Sequence, residues 1–146
     1  MARRENAAFA EFAMAQGRAL YRAAYLMVGD HGRARQVLTE CLQIAEQHGM
    51  RYLIGSACRV LGEVARPQDP SEAAALFERS LGVLDGIHAE NELALAHAGY
   101  GRLLRDQGRM EDARSQLARA LEILERLGTL REPDRVRDDL ARLGGA

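Results

Sequence analysis

Apolar residues recur at spacings of three, four and seven along almost the whole chain, which is the pattern that lines one side of an α-helix. Phe9, Phe12, Ala13, Leu20, Ala24 and Met27 draw the first such stripe, over 5–28, and Gly29-Asp30 ends it. Ala34, Val37, Leu38, Cys41, Leu42 and Ala45 mark a second helix over 31–48, closed by Gly49. Ile54, Ala57, Cys58, Leu61 and Val64 mark a third over 51–65. Glycine serves at these ends because it takes the left-handed backbone of a helix C-terminus without strain.

The loop Arg66-Pro67-Gln68-Asp69-Pro70 then breaks the pattern. Ser71 or Asp69 supplies an N-cap, and Glu72 adds negative charge where the helix dipole favours it. The fourth helix runs through Ala74, Phe77, Leu81 and Leu84 to about Asp85, and Gly86 ends it. Helices five and six cover 90–107 and 110–127, joined at Gly108. A seventh begins after Pro133 and buries Val136, Leu140 and Leu143, while Asp and Arg residues, Asp138-Asp139 among them, occupy its solvated faces. Alternation of apolar and polar residues, the mark of a half-buried strand, occurs nowhere. An all-α chain is expected.

The helices repeat in pairs. One constant offset carries Tyr21, Gly29, Ala34 and Cys41 onto Tyr100, Gly108, Ala113 and Ala120. About half that offset carries Gly62 onto Gly101, and Ala73, Ser80 and Leu81 onto Ala113, Ala120 and Leu121, with the middle loop a single position shorter. Units of about 5–48, 51–86 and 90–128 result, in one domain spanning 1–146, with 133–143 as a cap. Stretch 100–121 is the best-kept copy, and its Gly101, Ala113 and Ala120 fall where close-packed backbones need small side chains.

Composition narrows the function. At 146 residues, 47% hydrophobic and 28% charged, the chain is expected to bury a core rather than stay disordered. The net charge of -1 gives no whole-molecule field toward nucleic acid or acidic membranes. All 20 basic residues are arginine, whose planar fork suits bidentate capture of carboxylates. No apolar run approaches the roughly 20 residues that span a bilayer, and 1–9 lacks an apolar signal core, so a cytoplasmic setting is expected. Cys41 and Cys58 do not make a disulfide framework and are read as small buried fillers. His31, His48, His88 and His97 have no metal-ligand spacing, and His97 holds a core-type position. No nucleophile with a paired base can be assembled, and no phosphate-cradling glycine loop is present. Neither enzyme chemistry nor a cofactor is expected.

The repeat resembles the tetratricopeptide repeat, which carries small residues at the eighth, twentieth and twenty-seventh positions of each helix pair. The third unit matches through Tyr100-Gly101, Ala113, Leu117 and Ala120; the second through Leu61-Gly62, Ala73, Phe77 and Ser80; the first through Ala34, Leu38 and Cys41. Arg22 departs from the expected small residue, and the fourth-position tryptophan and closing proline are missing. The period is also longer than the roughly 34 residues common in that family. The resemblance covers about 15–128. It implies a right-handed α-solenoid of three antiparallel helix pairs plus a C-terminal capping helix.

It also implies a groove lined by the first helix of each pair. Gln16, Ala19, Ala23 and Leu26 would face it from the first unit; Ser56, Arg59, Glu63 and Arg66 from the second; Leu95, Ala98, Arg102 and Arg105 from the third. Such a groove is apolar at one end and arginine-rich at the other. It suits a protein or peptide partner bearing acidic or carboxylate groups. The competing reading pairs Arg59, Glu63 and Arg66 with one another on a solvated face. A regulatory or adaptor module of a bacterial protein is expected, with no direct nucleic-acid or membrane contact. Phe9 and Phe12 add an expectation of homodimer formation through the N-terminal helix.

A second resemblance lies in the first unit. Glu11-Phe12 to Leu42, including ALYRAAYLMVGDHGRARQVLTECL, is similar to the start of an extracytoplasmic-function sigma factor. That likeness implies a hairpin docking on RNA polymerase, although Arg35 and Gln36 stand where that family usually carries acids. An effector-sensing domain of a bacterial regulator is the third reading.

Overall fold

The computed structural model describes residues 31–129 and 132–144. Among these residues the chain is all-α, with six helices: α1 (His31–Gln47), α2 (Arg51–Ala65), α3 (Pro70–Gly86), α4 (Glu90–Asp106), α5 (Met110–Leu127) and α6 (Glu132–Gly144). The expected helix over 5–28, with Gln16, Phe9 and Phe12, lies outside the described residues.

Burial sorts the helices into two kinds. On α3 only Ala73, Phe77, Ser80 and Leu84 are buried, a single stripe at spacings of four, three and four. On α5 the stripe is Ala113, Leu117, Ala120, Ile123 and Leu124. By contrast α2 is buried continuously from Gly55 to Gly62, and α4 hides residues on several sides, from Leu93 through Leu104. A helix apolar all round must be covered all round. The contacts agree: α2 touches α1, α3 and α4, and α4 touches α2, α3, α5 and α6. The inner row is therefore α2, α4 and α6, each packed on the next. Helices α1, α3 and α5 make no backbone approach to one another. Two ion pairs span the gap between α1 and α3, Arg35 to Glu72 and Arg79 to Glu46.

The most extensive packing is within the pairs α2–α3 and α4–α5, and small residues permit it. A Cβ added at Gly62 would lie 3.1 Å from the Phe77 ring; one at Gly101 would lie 2.7 Å from Leu117 Cγ. The same glycine-on-large contact thus recurs at positions aligned by the sequence offset. Phe77 also reaches the third partner. It is fully buried, stacks on Tyr100 at 6.1 Å, and would meet a Cβ on Gly99 at 2.6 Å. That ring wedges α2, α3 and α4 together.

The turns repeat as well. After α1, α3, α4 and α5 the chain passes through one left-handed residue: Gly49, His88, Gly108 or Gly128. The amide after it donates back to a carbonyl in the last turn of the helix, as Met50 does to Ala45 O and Ala89 to Leu84 O. Gly86, expected as the stop of α3, is instead its last helical residue, and His88 takes the left-handed place at φ 55°. The loop after α2 is different. There Pro70 opens α3, and Asp69 rather than Ser71 is the N-cap, its side chain accepting the Glu72 amide at 3.0 Å.

Candidate functional site

Helical periodicity places Ser56, Arg59, Glu63 and Arg66 on one face of α2, and Leu95, Ala98, Arg102 and Arg105 on one face of α4. Both faces belong to the inner row, and α6 completes it. Of the expected groove residues, Gln16 lies outside the described part. Ser56 is only 2% exposed, with its hydroxyl buried and unbonded, so it presents nothing to solvent. Leu95 is half-buried. The arginines are held by acids.

Between α2 and α4, Arg59 donates through Nε to Glu92 Oε2 and through Nη1 to Glu63 Oε1, both at 3.1 Å. The Arg59–Glu63 pair, four positions apart on α2, is the one the competing reading anticipates. The face is not solvated, however, because Arg59 is 9% exposed. Arg66 does not join that pair and approaches Asp106 of α4 at 3.5 Å instead. Glu63 also lies against α4, its Oε1 3.5 Å from where a Cβ on Gly99 would stand.

Between α4 and α6 the charge arrangement is reversed. Arg102 Nε donates to Asp139 Oδ2 at 2.8 Å and Arg105 Nη1 to Asp139 Oδ1 at 3.2 Å. Arg105 also reaches Asp106 at 3.3 Å. Arg66, Asp106, Arg105, Asp139 and Arg102 therefore form one chain of ion pairs from α2 through α4 to α6. Asp139, read from sequence as part of a solvated face, is 8% exposed. The signal for its burial is in the stripe itself. It stands three positions after Val136 and four before Leu143, on the buried face of α6.

Beside this network Arg102, Arg135, Asp138, Asp139 and Arg142 line a cavity of about 270 Å³. Arg135, Asp138 and Arg142 are not among the residues the sequence singled out for the first helices of each pair, since nothing local places α6 beside α4. The cavity wall can donate hydrogen bonds to an anion; its unpaired carboxylate, Asp138, opposes one.

The remaining polar groups sit outside this face. His97 Nδ1 donates to Gln116 Oε1 at 2.7 Å, and burial pushes its pKa down, with Arg119 adding to the shift. Cys41 and Cys58 are buried free thiols, and burial pushes both up. Among the described residues no cluster of His, Cys, Asp and Glu could hold a metal ion. No helix among them is long and apolar enough to cross a membrane. No protein-family model matches the chain, and no curated protein is found to be similar to it.

Proposed function

We propose that this chain is a non-catalytic protein- or peptide-binding module, tetratricopeptide-like in its stacking, that uses the inner row of helices as its groove. The observation that supports this reading is the run of arginines along that row: Arg59, Arg66, Arg102 and Arg105 all lie on the faces of α2 and α4 that turn toward the next inner helix. Guanidiniums already oriented by Glu92, Asp106 and Asp139 have lost their rotamer freedom before a partner arrives, so binding costs less ordering. The partner class is an acidic segment of another polypeptide. Two free thiols, kept as buried fillers, fit an adaptor or regulatory part working in a reducing, cytoplasmic setting.

The test is binding to an array of acidic peptides by wild type and by a R66Q/R105Q double variant, with thermal melts as the folding control. Loss of two charge-assisted hydrogen-bonding groups should weaken acidic peptides by roughly tenfold or more. Unchanged affinity in a folded variant would remove the groove reading. Untargeted co-purification provides the second arm. Retention of RNA polymerase that disappears when Arg35 and Gln36 are changed would replace the groove with the sigma-like hairpin. Both residues are exposed, with Arg35 bonded to Glu72 and Gln36 to Glu40.

A further inference from the structure

The inner row ends in a cavity whose wall is charged but incompletely paired. Asp139 is spent on Arg102 and Arg105, whereas Arg102 gives it only Nε and keeps Nη2 buried and unbonded. Arg135 holds Glu132 loosely, at 3.4 Å and in solvent. Arg142 and Asp138 stand four apart on α6, a spacing that favours a helical ion pair, yet among the described residues neither takes an ion-pair partner. Three arginines therefore line a space in which one carboxylate, that of Asp139, is already engaged.

We propose that this cavity is an oxyanion subsite that takes a single carboxylate group. Its three arginines set the sign of the ligand, and its size sets an upper bound. At about 270 Å³ it is open on one side and holds several waters. That is far more than a bare ion needs, and just under the roughly 300 Å³ at which drug-sized clefts begin. One acidic side chain or one chain end fits. Arg102 is the pre-oriented donor, fixed by Asp139. Arg142 and Arg135 close on the anion from α6, at the cost of no more than the loose Glu132 contact. Asp138 works against the ligand and limits its affinity. As to source, an acidic residue of a bound peptide, the assignment rests on the groove reading; as to chemistry it does not.

The site predicts opposite signs for two exposed residues four apart. The full chain would be titrated with glutarate, with inorganic phosphate, and with a capped peptide containing one glutamate, against the same peptide containing glutamine. Sodium chloride at matched ionic strength is the control, and the side-chain Nε–H resonances of arginine are the readout. R142Q should weaken the glutamate peptide about five- to tenfold, as loss of one charged hydrogen-bonding group requires. D138N should tighten it by roughly two- to fivefold, through removal of a like charge. Both residues are exposed, so neither change threatens the fold. Glutamate-peptide binding that neither variant alters by twofold overturns the cavity assignment and leaves the groove standing. Glutarate binding with both signatures, but without peptide binding, keeps the cavity site and overturns the groove reading. Phosphate binding tenfold tighter than glutarate overturns the carboxylate assignment. A response equal to that of sodium chloride overturns the site altogether.

Discussion

The two joints of the inner row invert each other. Between α2 and α4 one arginine, Arg59, is shared by two carboxylates, Glu63 and Glu92. Between α4 and α6 one carboxylate, Asp139, is shared by two arginines, Arg102 and Arg105. One pair of aligned positions carries part of the inversion: the offset that relates Gly62 to Gly101 carries Glu63 onto Arg102, while it sets Ala98 against Arg59 and keeps arginine at 66 and 105. The glycine-on-large contacts recur, while the charge is kept at one aligned position and reversed at another. Packing therefore constrains the small and large residues of each pair, and leaves the inner face free to differ in sign from one joint to the next. On the groove reading proposed above, a polypeptide laid along this row would meet an arginine held between two acids at one joint and an acid held between two arginines at the other, two ends that are not alike.

The largest effect should come from removing the wedge under the first joint. Phe77→Ala leaves a cavity where α2, α3 and α4 meet and should cost about 3–5 kcal/mol in urea unfolding. Hydrogen exchange should then rise in α2 and α3 before α6. A smaller loss should appear at the second joint. Asp139→Asn strands Arg102, leaves Arg105 to Asp106, and should cost about 2 kcal/mol, below the range for fully buried pairs because both guanidiniums keep some water. Here exchange should rise in α6 and spare α2. If both variants loosen the whole chain equally, the two joints are not separable units.

A pH effect sharpens the comparison within α4. The folded chain holds His97 below its ordinary value of 6.5 through burial, so the unfolded chain takes up the proton first as pH falls. Stability is complete above about 6.5 and declines below it, until the folded imidazole also protonates. Denaturant midpoints at pH 7.5 and 5.5 should differ in that sense, and His97→Gln should flatten the difference. Gln116, Arg119 and Asp85 face the ring, so changes there move the midpoint rather than the sign. The smallest effect is a gain. Gly82 lies exposed within α3 with nothing within 4 Å of an added Cβ, so Gly82→Ala should add about 0.5–1 kcal/mol without touching either joint.

The helical stripes were legible because burial of Leu38, Leu117 and Leu124 leaves a 3.6-residue signature in the chain itself. The end of α3 was less so. A glycine at 86 invites a stop there, yet the left-handed residue is His88, which holds the place in its turn that Gly49 holds one repeat earlier. The geometry of the turn outweighs the local preference. The partners of the groove arginines were hidden for another reason. Arg66 and Asp106 belong to different helix pairs, and only the packing of α2 on α4 brings them together. A single sequence reveals charge pairs within one helix, as with Arg59 and Glu63, and conceals those between helices.

The chain of ion pairs from Arg66 to Arg102 has a consequence beyond holding three helices. Its two aspartates each serve more than one guanidinium, so a charge lost at one end is answered by a change of partner further along. Asp106 already touches Arg105 and can take it over when Asp139 is neutralised. Arg66 and Asp139 never meet, yet their substitutions should be non-additive, because both draw on the same two side chains between them. The row behaves as a shared circuit in which each residue's worth depends on which others are present.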